Sequence, residues 1–191
     1  MSYGRGDQFF RVALERLRLR MMDRSKSTAE TVSDPITDLT RLPAPVAAIR
    51  AKILAACATN DIEALRIPID WNELRPLFAK GGKDSAYKSG DDPIEFLKMI
   101  SFDKKGAEVL HILRAALTQP YVTITRANVT LYEWPAFARK PTPAADERDM
   151  RARWRCVRFA DLTRSNIEGG PRAMRIGVAS DGVWHYFWSE D

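Results

Sequence analysis

Cysteine and histidine are scarce. The 191-residue chain holds two of each: Cys57 and Cys156, His111 and His185. No CxxC and no paired Cys/His spacing occurs, which excludes a zinc ribbon and a thioredoxin-type site. HExxH, GxSxG and GxGxxG are missing as well. Those absences remove the usual metalloprotease, hydrolase and dinucleotide signatures. Gly81-Gly82-Lys83 is not a phosphate-binding loop. It lacks the earlier glycine at the required spacing and the Ser/Thr after the lysine. No apolar run approaches the roughly 18 residues that span a bilayer. No transmembrane segment is therefore expected, and no cofactor.

Acidic residues are in deficit. There are 25 Asp+Glu against 30 Lys+Arg, a formal net charge of +5. Such a balance is compatible with an acidic partner but does not require one. Hydrophobic residues are 45% of the chain, enough for one sizeable core. The two cysteines are expected as buried free thiols.

QFFRVALERLRLRMM reads as a basic amphipathic helix. Phe10, Leu14, Leu17 and Met21 share one stripe, and arginines take the other faces. SKSTAETVSDPITDLTRLPAP has no periodicity and reads as a mobile linker. Residues 1–42 are thus an N-terminal helix and linker, and residues 43–191 a single domain. Helices follow. PVAAIRAKILAAC carries Val46, Ile49, Ile53 and Ala56 on one side. Asn60 and Asp61 can cap a second helix, which Pro68 should stop. WNELRPLF reads as a short turn or helix. Asp92-Pro93 is a cap and first-turn pair for DPIEFLKMI. KKGAEVLHILRAALTQ is the strongest helix, with Gly106, Val109, Leu110, Leu113, Ala116 and Leu117 inward and His111 outward.

After Pro120 the period changes to two. YVTITR and NVTLYEW read as strands. A loop and an arginine-rich helix intervene, and Gly169-Gly170-Pro171 breaks that helix. RAMRIGVAS-DG-VWHYFWS reads as a hairpin on a two-residue type I′ turn at Asp181-Gly182. The fold class is α+β: helices packed on an antiparallel sheet of about four strands that ends in a C-terminal β-hairpin.

That hairpin register puts Met174, Ile176, Val178, Val183, His185 and Phe187 on one face. Arg175, Gly177, Ala179, Trp184, Tyr186 and Trp188 take the other. Arg175, Trp184, Tyr186 and Trp188 are the candidate ligand or partner face. Tyr186 should shield Gly177, and Arg175 can stack on Trp188. The expectation is that protein covers this face. A second candidate is anion binding by Arg148, Arg151, Arg155 and Arg158, which share a helical stripe beside Met150, Trp154 and Val157. Glu147, Asp149 and Asp161 dilute it, so a solvated charged face is favoured. The acidic groups Asp91/Asp92 and Asp146/Glu147/Asp149 sit at helix starts, where capping accounts for them.

AIRAKILAACATNDIEALR, DWNEL, DPIEFLKMI, GAEVLHILRAALTQPYV, LYEWPAFA and RIGVASDGVWHYFWSED resemble an uncharacterised family of alphaproteobacterial proteins. The resemblance covers roughly residues 43–191 and implies no activity. Some members begin with an export signal, and residues 1–42 do not read as one. A cytoplasmic location is the default expectation, with the periplasm as the alternative if the N-terminus is mis-assigned. The sequence favours a non-enzymatic binding or protein-interaction module. The alternatives are a small-ligand domain or enzyme with a pocket lined by the aromatic hairpin, and an accessory nucleic-acid binder using the arginine helix. A protein partner is favoured over nucleic acid.

Overall fold

The computed structural model describes residues 30–72, 75–79, 87, 91–167 and 171–189. The helix expected over residues 8–22 lies outside them. The segment expected as linker does not stay apart from the sheet. Thr31–Val32 (β1) pairs antiparallel with the first long strand, Thr31 opposite Thr125 and Val32 opposite Ile124. Ile36 bridges Tyr121, and Leu42 is buried. Two residues are too few to show a period of two, so long-range pairing decides this strand.

Ala44–Ala58 (α1) starts where prolines fix the backbone and buries Val46, Ile49, Ile53, Ala56 and Cys57. Asp61 caps the 3-10 turn Ile62–Leu65 by accepting from the Glu63 N–H at 3.0 Å. Pro68 does not stop the chain there. It sits inside Arg66–Asp70 (α2), near the start of a new helix, where a missing N–H costs nothing. Asp92 caps Pro93–Ile100 (α3) as its sequence predicts. Ala107–Leu117 (α4) buries Val109, Leu110, Ile112, Leu113, Ala116 and Leu117 and leaves His111 exposed.

Val122–Arg126 (β2) and Val129–Trp134 (β3) form a tight hairpin. Ala127 in its turn has φ of 53°, a left-handed conformation that suits glycine. Ala127→Gly is expected to raise stability by about 0.5–1 kcal/mol. The check is a higher urea midpoint at unchanged slope; a lower midpoint contradicts strain at Ala127.

Ala136–Arg139 (α5), Glu147–Trp154 (α6) and Leu162–Ile167 (α7) separate β3 from Arg175–Ala179 (β4) and Trp184–Trp188 (β5). The seven α-helices among the described residues lie with a five-stranded antiparallel sheet in the order β1-β2-β3-β4-β5. The α+β class and terminal hairpin are as read from sequence, with one strand more. The main core fills the space between α1, α4 and one sheet face, where Trp134, Ile176, Val178, Trp184 and Phe187 point. Leu77 pairs with the outer edge of β5: its N–H donates to His185 O and its O accepts from Phe187 N, each at 2.8 Å. The edge of β5 is thereby satisfied at that point.

Cys57 and Cys156 are free and buried, as expected. Burial pushes both thiols up to about 12.

Candidate functional site

The terminal hairpin departs from its expected register in two places. The turn is not type I′. Gly182 N donates to Ala179 O at 2.9 Å, and the Ala179–Val183 pair closes a three-residue loop. Only Gly182, φ 89°, is left-handed. This loop spares Asp181 the positive φ that type I′ demands. Glycine is also required by space, since a Cβ at 182 would lie 2.9 Å from the Pro45 carbonyl. The longer loop slips the pairing by one, so Val178 faces Trp184. A bulge then restores the expected pairs Gly177–Tyr186, Ile176–Phe187 and Arg175–Trp188.

One slipped residue turns its neighbours to the opposite face. Trp184 is therefore removed from the Arg175/Tyr186/Trp188 face and is fully buried on the core side, edge-on to Phe78. His185 is not on the core face; it occupies the bulge, half-buried. Burial lowers its pKa.

Arg175, Tyr186 and Trp188 do come together, but around a residue that the sequence did not single out. Glu133 projects from β3 on this face and is completely buried. Arg139 of α5 reaches it with Nε at 3.1 Å from Oε1 and Nη2 at 3.4 Å from Oε2. Tyr186 donates its hydroxyl to Oε2 in a short hydrogen bond. Arg175 Nη1 stands 3.6 Å from Oε1. Glu30 lies beyond Arg139 at 3.8 Å. Burial, then the Glu133 charge, raises the Tyr186 phenol well above its ordinary pKa, so it stays a donor. The ring on Trp188 is that of Tyr186, stacked at 4.3 Å and 18°. Arg175 stands beside Glu133 on this face. Tyr186 also lies against Gly177, where a Cβ would meet its ring at 2.3 Å. That shielding is as expected. Every polar group in this cluster that reaches Glu133 faces inward, and its chemistry is cohesion: one carboxylate holds two strands and a helix.

The arginine helix is shorter than its sequence predicts. α6 ends at Trp154, and Arg155 is its cap. The Cys156 carbonyl leaves the helical ladder to accept from Met174 N at 2.9 Å. Arg158 therefore opens a separate 3-10 turn, Phe159–Asp161, and the four arginines do not share a stripe. Arg151 pairs with Glu147, and Arg158 with Asp161 at 2.8 Å. Arg148 and Arg155 are exposed. Among the described residues no three His, Cys, Asp or Glu side chains gather as ligands for a metal ion.

A different constellation is exposed. Phe102, after α3, and Phe159, after α6, meet at 4.4 Å with planes 46° apart. They remain 64% and 57% exposed, and Met99 at the end of α3 is 52% exposed. Glu108 on α4 fixes both backbones. Its Oε2 accepts from Phe102 N at 2.6 Å and its Oε1 from Phe159 N at 2.5 Å. Lys104 ties the same loop to α3 by donating to Met99 O at 2.7 Å. Asp103 accepts from the N–H groups of Lys105, Gly106 and Ala107 at 3.1, 3.0 and 2.8 Å, anchoring the loop to the start of α4. Two loops distant in sequence thus present two rings on a fixed frame. Phe102 follows Met99-Ile100-Ser101 and Phe159 stands between Arg158 and Ala160, so no local pattern marks a pair that meets across the chain.

No family model, no curated protein and no solved structure matches this chain.

Proposed function

We propose that the chain is a protein-interaction module that docks through Met99, Phe102 and Phe159. The observation that carries this reading is the exposed phenylalanine pair whose two backbones share one carboxylate, Glu108. Exposed rings lose hydration when covered, and aromatic anchors dominate many interfaces. A frame already ordered in the free protein lowers the entropy cost of docking. The three side chains offer on the order of 300 Å² of apolar surface, the scale of a functional patch on a monomer.

The aromatic hairpin lends no support to a ligand pocket of its own. Trp184 is in the core, and the Tyr186 hydroxyl is committed to Glu133. The arginine segment lends little to nucleic-acid binding, since Arg151 and Arg158 are paired with acids and Arg153 with Asp149.

The test places a photo-crosslinking amino acid at Phe102 or Phe159 in the full chain, made in its native host. A discrete crosslinked protein band is expected from both positions. Val129, an exposed apolar residue in the β2–β3 hairpin, serves as control and should give none. No discrete band at 102 and 159, or the same bands at 129, defeats the proposal.

A further inference from the structure

We infer that residues 8–22, the basic amphipathic helix read from the sequence, dock along the sheet face opposite α1 and α4. That face is apolar over much of its width. Val32 of β1, Val122 and Ile124 of β2 and Leu131 of β3 group there with Ala136 of α5. Trp188 of β5 extends the surface, stacked on Tyr186. Val122 and Ile124 are buried, while Val32, Leu131 and Trp188 are half-buried. The helix described against these side chains is α5, Ala136–Arg139, a single turn, whereas α1 and α4 fill the other side. A sheet with apolar residues on both faces needs a layer on each.

The point where the chain enters the sheet selects the occupant. β1 begins directly after Glu30, whose carboxylate lies 3.8 Å from Arg139. Arg139 holds Glu133 on this face, and Glu30 and Val32 alternate to the same side. Residues 1–29 therefore connect to the edge strand beside the face to be covered. Residues 23–29 can extend at most ~25 Å. A helix over residues 8–22 would be ~22 Å long. The five strands, at ~4.8 Å spacing, make the sheet ~19 Å across. The tether thus reaches the face, and the helix matches its width. Phe10, Leu14, Leu17 and Met21 supply the stripe that such a contact buries. So short a tether gives a millimolar effective concentration, so a contact of only ~0.1 mM affinity forms more than ~90% of the time. The arginines at 11, 16, 18 and 20 make an anionic lipid surface the rival taker of the same stripe.

The experiment uses the full chain, purified and dilute, with a photo-crosslinking amino acid at Leu14 or at Leu17. Crosslinks within one chain are expected, mapping by mass spectrometry to Leu131, Trp188 or their neighbours on that face. Crosslinks to α1–α4, crosslinks only between chains, or none overturn the inference. A second measurement reads the same contact without the probe. The thiol of Leu131→Cys should alkylate at least ~10-fold faster once Leu14→Glu/Leu17→Glu is added. Cys57 and Cys156 are buried and should stay unreactive, which shows that the fold is kept. Should they react as well, the crosslink map decides. An equal rate with and without the double substitution overturns the inference. If the rate is equal and the full chain sediments with phosphatidylglycerol vesicles, the stripe belongs to a lipid surface.

Discussion

Trp184→Ala is expected to cost about 3–5 kcal/mol, a large share of the roughly 5–15 kcal/mol that holds a domain together. The ring is fully buried on the helix-facing side of β5, edge-on to Phe78 at 5.8 Å and 86°. It belongs to the cluster of Ile176, Val178 and Phe187. Its indole N–H donates to the Tyr186 carbonyl at 2.9 Å, across the bulge at His185. Truncation therefore empties a core site and also removes one donor from the Tyr186 carbonyl. The second loss adds to the first, because a buried hydrogen bond contributes about 0.5–1.5 kcal/mol. Trp184→Phe keeps much of the volume and should lose less than half as much. Urea unfolding followed by circular dichroism measures both. A loss under ~1 kcal/mol for the alanine variant would place the ring outside the core and return it to the opposite face.

The hairpin shows where sequence reasoning works and where it stops. Asp181-Gly182 correctly marks a reversal between two apolar strands. It does not distinguish a two-residue loop from a three-residue one, since both use glycine in a left-handed conformation. The difference is one residue, and one residue moved Trp184 to the core. The helices were more legible. The stripe of α4 and the Asp92-Pro93 start of α3 depend on local periodicity and capping, which a single sequence carries. β1 was illegible because its support is the pairing of Thr31 and Val32 with β2, some ninety residues on. The same limit applies to the sites. Glu133 and Tyr186 are 53 positions apart, and Glu108 is 51 from Phe159. Arg175, Tyr186 and Trp188 could be grouped from strand alternation alone. The carboxylate that organises them arrives on another strand, and the arginine that completes it on a helix. The arginine stripe failed for a related reason. Its spacing was helical, but Cys156 and Val157 are buried and draw the chain out of the helix.

Glu133→Gln should destabilise the protein by about 3–5 kcal/mol, because it breaks a buried ion pair by removing one partner only. The amide has nearly the carboxylate's shape, so packing is conserved and the change isolates charge. Arg139, whose side chain is 28% exposed, and the buried Arg175 would then face a neutral group in place of a carboxylate. Tyr186→Phe is the companion. It removes only the hydroxyl that donates to Glu133, and should cost about 1.5–3 kcal/mol, the range for a hydrogen bond to a charged group. The Tyr186 ring is held between Trp188 and Gly177, so the phenylalanine ring has no reason to move. The double variant should cost less than the two singles added, with a coupling of about 0.5–3 kcal/mol, because both remove the same interaction. Salt should restore little, since buried pairs are weakly screened. Additive losses, or a Glu133→Gln variant within ~0.5 kcal/mol of the parent, would mean that the cluster does not hold β3, β4, β5 and α5 together. The buried charges would then need another purpose, and the Tyr186/Trp188 face would again be the place to look for a ligand.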